Sequence, residues 1–296
     1  MEFDDLNIDT SQLEDRRGLS TGGIVGGGAG VIGLIGLVFY LFFGGGSGTG
    51  SGSDPGSLLD QIAPGQGQSQ NQVTSAELRQ RCAEQAAFDK YDDCFVLKIM
   101  NETTEVWSAV LPGYVPPKLV FFTGQTSTAC GVISSRMGPL YCPGDERVYF
   151  DLAFLNQLQS RFGAQGRYAQ AYIAAHEVGH HVQHLMGTDQ RVSRLQQQNP
   201  RARNPLSVQL ELQADCYAGV WGRLANDRGN VKITQAEFQQ ALNAAAAVGD
   251  DRVQRQAGQA VNPEGFTHGT AEQRQQWFKT GYDTGDYRRC DTFSSG

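Results

Sequence analysis

The strongest constraint on this chain is a stretch without a single charge. From Gly18 to Ser53 there is no Asp, Glu, Lys or Arg, and residues 24–43 within it read IVGGGAGVIGLIGLVFYLFF. A helix needs roughly 20 predominantly apolar residues to cross the hydrocarbon core. Residues 20–43 are therefore expected to form one transmembrane helix that divides the chain into a short tail and a long C-terminal part. Gly22, Gly26 and Gly30 recur at four-residue spacing, which suits close helix packing in lipid and allows the span to bring copies of the chain together as a homo-oligomer. A cleaved leader fits less well, because the preceding tail is acidic and no A-x-A site follows the apolar run. Arg16 and Arg17 stand just before the run and the next basic residue is Arg79. The positive-inside bias then puts residues 1–19 in the cytoplasm and everything after the span outside it.

Residues 44–74 are rich in Gly, Ser, Gln and Pro, the composition of a flexible linker. From residue 75 to 296 the composition is that of a globular domain, long enough to bury a core of its own. A net charge of -7, with no cluster of Lys and Arg, excludes a nucleic-acid binder, since phosphate contacts need concentrated positive charge. Outside the cytosol thiols oxidise, so the six cysteines are expected in disulfides rather than on metal. Cys82 with Cys94 and Cys130 with Cys142 would close short loops, leaving Cys216 to reach Cys290.

Ser75 can cap a helix running to about residue 90. Short strand-like stretches follow at 95–100, 118–123 and 147–150. Candidate helices then occupy 151–161, 168–186, 207–226, 234–248 and 270–281, punctuated by Gly and Pro. Strands first and helices after indicate an α+β domain, mostly helical with a small sheet.

The helix over 168–186 contains AAHEVGHHVQ, in which His176, Glu177 and His180 form H-E-x-x-H. Residues four apart share a helix face, so both imidazoles can meet one ion, while Glu177 can reach a water on that ion. His184 lies a turn too far to join them, and His181 faces elsewhere. A metzincin would carry a third His where this chain has Met186. A catalytic zinc commonly takes three protein ligands. The candidate for the third is Glu211 in VQLELQADCYAG, with Asp215 one turn later placed to accept the free ring N–H of a ligand His. The rival reading is a non-catalytic, zinc-stabilised interaction module of the cell envelope, but a closed structural site needs a fourth ligand.

HEVGHHVQHLMGT, LELQADCYAGVW, AAAAVGDDR, VNPEGFTHGTAEQRQQWF and GPLYCPGDERVYFDL together resemble the bacterial neutral zinc metallopeptidases, a membrane-anchored group with a zincin-like domain. More distantly, H-E-x-x-H followed by E-x-x-A-D is similar to the gluzincins. The resemblance implies hydrolysis of a peptide or protein substrate with one Zn2+ held by His176, His180 and Glu211, Glu177 as general base, and Asp215 orienting a ligand His. It implies an enzyme of the bacterial inner membrane with its catalytic domain on the periplasmic side. THGTAEQR is similar to a His-x5-Arg segment of the CAAX-processing membrane peptidases, which implies His268 and Arg274 as donors to the oxyanion, although Gly269 stands where those proteins have Pro. The strand at 147–150 is expected to offer its edge to an extended peptide.

Overall fold

The computed structural model describes residues 1–5, 7–17, 75–84, 86–156 and 165–294. The span expected at 20–43 and the linker at 44–74 lie outside these. Among the described residues, no helix is long and apolar enough to cross a membrane.

The domain is α+β, with the small sheets ahead of most of the helices as the sequence suggests. Strands β1 (Glu2–Phe3) and β2 (Leu13–Asp15) come from the tail. Helices α1 (Ser75–Cys82), α2 (Ala87–Lys90) and α3 (Asp92–Val110) follow. Next come β3 (Lys118–Phe121), the hairpin β4 (Gln125–Thr128) and β5 (Gly131–Ser134), then β6 (Leu140–Cys142) and β7 (Arg147–Phe150). The helical half comprises α4 (Arg167–Leu185), α5 (Thr188–Gln198) and α6 (Arg203–Arg228), then the short β8 (Val231–Lys232), α7 (Gln235–Ala247), α8 (Asp250–Gln256) and α9 (Ala271–Thr284).

The main sheet has the order β2-β3-β7-β6, with β2, β3 and β7 parallel and β6 antiparallel to β7. Side chains alternate across it as the pleat requires. Leu119, Phe121, Val148 and Phe150 face the helical core. Val120, Phe122, Leu140 and Tyr149 face Ile133 of the β4–β5 hairpin. The 147–150 strand is therefore interior, and the edges of the sheet are β2 and β6. That corrects the expected peptide-binding edge: β7 has neighbours on both sides.

Residues 95–100 are helical, not extended. The run FVLKIM is buried on every side, so its apolar residues show no period that separates helix from strand. Asp92 and Asp93 in the first turn favour the positive end of the helix dipole. The helix expected over 75–90 breaks at Ala86, whose φ is 61°. Of the helix expected over 151–161, residues 153–156 are helical and those from 157 lie outside the described residues. Thr234 and Thr270 each cap the following helix with a complete capping box, which fixes two of the later boundaries close to where the sequence places them. The disulfides are Cys82–Cys94, Cys130–Cys142 and Cys216–Cys290, and no cysteine is free.

The tail packs against the domain. β1 pairs with β8, Glu2 opposite Lys232, and β2 pairs with β3, Leu13 opposite Leu119. Phe3 packs edge-on against Phe88 and Phe95, with ring centroids 5.1 and 6.1 Å away. The buried Lys98 ammonium donates to Asp5 at 2.8 Å and to the Asn7 carbonyl at 3.3 Å, and pairs with Glu102 at 2.8 Å. Arg17 reaches Asp93 at 3.0 Å, and Arg81 of α1 pairs with the same carboxylate. Burying Lys98 without the tail would strip it of two acceptors, so the tail is part of the folded unit.

Candidate metal centre

α4 and α6 cross at the centre of the helical half, and the sequence permits an unusually close approach there. A Cβ on Gly179 would lie 2.9 Å from the Ala214 carbonyl oxygen. With only hydrogen at that position the helices meet backbone to backbone, which brings Glu211 of α6 to the H-E-x-x-H face of α4. His176 Nε2 and His180 Nε2 lie 3.2 and 3.3 Å from the two carboxylate oxygens of Glu211. One ligand atom from each of these residues lies within 4.8 Å of the others.

The donor set fits a divalent cation. Glu211 is wholly buried, yet neither of its oxygens, nor Nε2 of His176, has a hydrogen-bond partner. An ionised carboxylate held that way costs several kcal/mol unless positive charge reaches it. Two imidazoles, one carboxylate and interatomic spacings of this size are what a tetrahedral zinc with one open position uses. The electrostatics agree. Burial opposes protonation of His176, but Asp215 and Glu211 outweigh it and raise its pKa to about 10. Burial would raise the Glu211 carboxyl, yet the two imidazoles hold it well below the usual range. The cluster demands a positive charge, and a metal ion supplies one without protons.

Asp215 stands where the sequence places it. Its Oδ1 accepts from His176 Nδ1 at 2.8 Å, so Nε2 is left to face Glu211. Tyr172 donates to the same oxygen. Arg274 grips Asp215 through Nε and Nη2 at 2.8 and 2.9 Å, and its Nη1 donates to the Val248 carbonyl at 3.3 Å. This corrects the expected role of Arg274. Fully buried and committed to Asp215, it fixes the orienting carboxylate and offers nothing to an oxyanion. It stays 4.0 Å from Glu211.

Glu177 is buried beside the cluster and takes a backbone hydrogen bond from Tyr141 of β6; burial raises its carboxyl, against the pull of His176 and His180. His268 lies close enough to act electrostatically on Glu211. Its Nδ1 meets Asp250 at 3.1 Å, and its buried Nε2 has no partner. Asp250 also accepts the backbone N–H groups of Thr267, His268 and Gly269 at 2.7, 2.7 and 3.1 Å. Sequence reasoning missed Asp250; the signal was the acidic pair opening α8 behind Gly249. Gly269 has φ +91°, a conformation closed to proline, so the departure from the His-Pro pattern has a backbone cause.

The remaining histidines are structural. His181 is held between the Tyr141 hydroxyl at 2.9 Å and the Val115 carbonyl at 2.6 Å. His184 pairs with Asp189 at 2.7 Å.

The sequence profile of the family described as "Putative neutral zinc metallopeptidase" matches residues 2–293. The chain belongs to this family. Relatives include the uncharacterized protein YpfJ of Escherichia coli K12, 41% identical over 96% of each chain. Another is the uncharacterized protein Rv2575 of Mycobacterium tuberculosis H37Rv, 42% identical over 82% of this chain and 84% of its own. No solved structure matches. Family membership supports a zinc-dependent hydrolase, and the match beginning at residue 2 takes in the docked tail.

Proposed function

We propose that this protein is a zinc-dependent endopeptidase in which His176, His180 and Glu211 hold one Zn2+. The observation that carries the reading is the convergence of buried, unpartnered ligand atoms from α4 and α6 beside a buried Glu177. Zinc bound there supplies a Lewis acid and lowers the pKa of a water toward about 7. Glu177 takes the proton of the attacking water, its basicity raised by burial, and passes it to the leaving amine. His268 donates Nδ1–H to Asp250, and as the doubly protonated imidazolium it donates from Nε2 to the developing oxyanion. Edge strand β6, whose Tyr141 N–H already holds Glu177, would align an extended substrate segment by main-chain pairing. A purely structural site has no use for Glu177, which disfavours the interaction-module alternative.

Glu177→Gln tests this. Zinc content and cleavage of casein are measured on the same preparation. Zinc retained with turnover down about 10²–10⁴-fold is expected; full turnover rejects the mechanism.

The compartment reading also becomes more specific. Three disulfides favour an oxidising, extracytoplasmic location for the domain, with attachment through the apolar run of residues 20–43. A single crossing between Arg17 and Ser75 would leave tail and domain on opposite sides of a bilayer, whereas β1–β8 and β2–β3 pairing needs them on the same side. The two strand pairings support a shared side for tail and domain. Glu2→Cys with Lys232→Cys, made at a register pair, should cross-link in native membranes. A thiol at position 2 that is labelled only from the cytoplasm, with no cross-link, rejects the shared side.

A further inference from the structure

The two imidazoles are oriented by partners of different kinds. His176 leans on an anion that Arg274 and Tyr172 hold in place. His180 leans on a neutral amide: its Nδ1 meets Gln183 Oε1 at 2.9 Å. Gln183 lies on the same helix one turn further on, and both it and Gln213 are buried. The Gln183 amide nitrogen donates to the Leu210 carbonyl at 2.6 Å and to Gln213 Oε1 at 3.1 Å. Gln213 then donates to the carbonyl of Cys290 at 2.8 Å. Cys290 is tied back to α6 through its disulfide with Cys216, and Thr292 beyond it donates to the Gln209 carbonyl at 2.6 Å.

The relay has one consistent direction. Each amide oxygen accepts and each amide nitrogen donates, ending at a carbonyl that can only accept. Gln183 Oε1 can accept from His180 only if Nδ1 carries the hydrogen, which frees the Nε2 lone pair to face Glu211. Turning either amide would set donor against donor or acceptor against acceptor inside the protein, where a mismatch goes uncompensated by water.

Resting on the zinc reading above, we infer that Gln183 and Gln213 are positioning residues for His180, and that through them the C-terminal Cys216–Cys290 clasp sets how tightly the metal is held. The neutral amide gives His180 no anionic partner on Nδ1, so its orientation rests on the amide relay. That orientation is anchored at the far end of the chain.

The test uses the purified full-length protein. Zinc affinity is measured by competition with a chromophoric chelator, and ligand geometry by the visible spectrum of the cobalt-substituted protein. Gln183→Ala should weaken zinc by about 10–100-fold, the usual cost of losing such a partner, and should alter the cobalt spectrum. Gln183→Glu keeps an acceptor for Nδ1 but sets its other oxygen against the Leu210 carbonyl and Gln213 Oε1, so it should recover only part of the affinity. Gln213→Ala, and Cys216→Ala with Cys290→Ala, should each lose a smaller factor in the same direction. Wild-type zinc affinity in Gln183→Ala overturns the role of Gln183. Wild-type affinity in both Gln213→Ala and the disulfide variant overturns the link to the clasp. If the wild-type protein itself fails to take up zinc, it is the metallopeptidase reading that fails. Should Gln183→Ala not fold, Gln183→Glu and Gln213→Ala decide the matter alone.

Discussion

Two of the buried clusters of charge among the described residues are built on opposite plans. Between tail and α3 the cation is a side chain: Lys98 lies within 2.8 Å of both Asp5 and Glu102. Between α4 and α6 the acids Glu177, Glu211 and Asp215 outnumber the one buried guanidinium, and Arg274 pairs closely with Asp215 alone among them. The first cluster carries its own counter-charge. The second leaves Glu211 and His176 Nε2 without partners and needs a cation from outside. A buried ion pair that closes on itself fastens two pieces of chain, whereas convergent atoms left bare identify a binding site.

Crossed mutations should separate the two plans. Glu211→Ala has the largest effect: zinc content falls to background and hydrolysis goes with it, while circular dichroism shows the fold intact. A variant that keeps full metal stoichiometry breaks the comparison. Lys98→Ala should do the reverse, keeping zinc but losing about 3–5 kcal/mol of stability in denaturant titration, because Glu102 is left buried and unpaired. Asp215→Asn should weaken zinc by about 10–100-fold through the loss of an anionic partner for His176, measured by chelator competition. Asp5→Asn has the smallest effect, below about 1 kcal/mol, since Asp5 is half exposed and water screens the pair. Its hydrogen bond from Lys98 lowers the Asp5 pKa. That contribution is present above the unfolded value of about 3.9 and fades as pH falls through the lowered folded value, so Asp5→Asn should flatten the acid limb of the stability curve.

Much of the metal centre was legible because helix geometry turns spacing into direction. His176, Glu177, His180, Glu211 and Asp215 sit at helical intervals, and their residue types allow few other uses. Arg274 shows the limit of that legibility. A matching position reveals that a residue is near the site, but the way its side chain turns is set by Asp215 and Val248, which belong to other elements. Gln183 and Gln213 carried no signal, because a neutral amide looks the same on a solvated face and in a relay. The misread strand at 95–100 and the overlooked β6 share a cause: once a short segment is buried on all sides, its hydrophobic pattern no longer records its period. The docked tail was hidden by its acidity, which reads as solvated until Lys98 and Arg17 are seen opposite it.

The pairing of β1 with β8 bears on the order in which the protein is made. Glu2 and Lys232 are separated by 230 positions, and at about 5–20 residues per second the first strand waits on the order of ten seconds or more for its partner to be synthesised. Until then β1 has no strand to pair with, although Phe88, Phe95 and Lys98, which its neighbourhood also uses, are already made. The earliest-born segment of the polypeptide is among the last to find its place, and ribosome-bound intermediates truncated before residue 231 should leave their N-terminal residues open to protease.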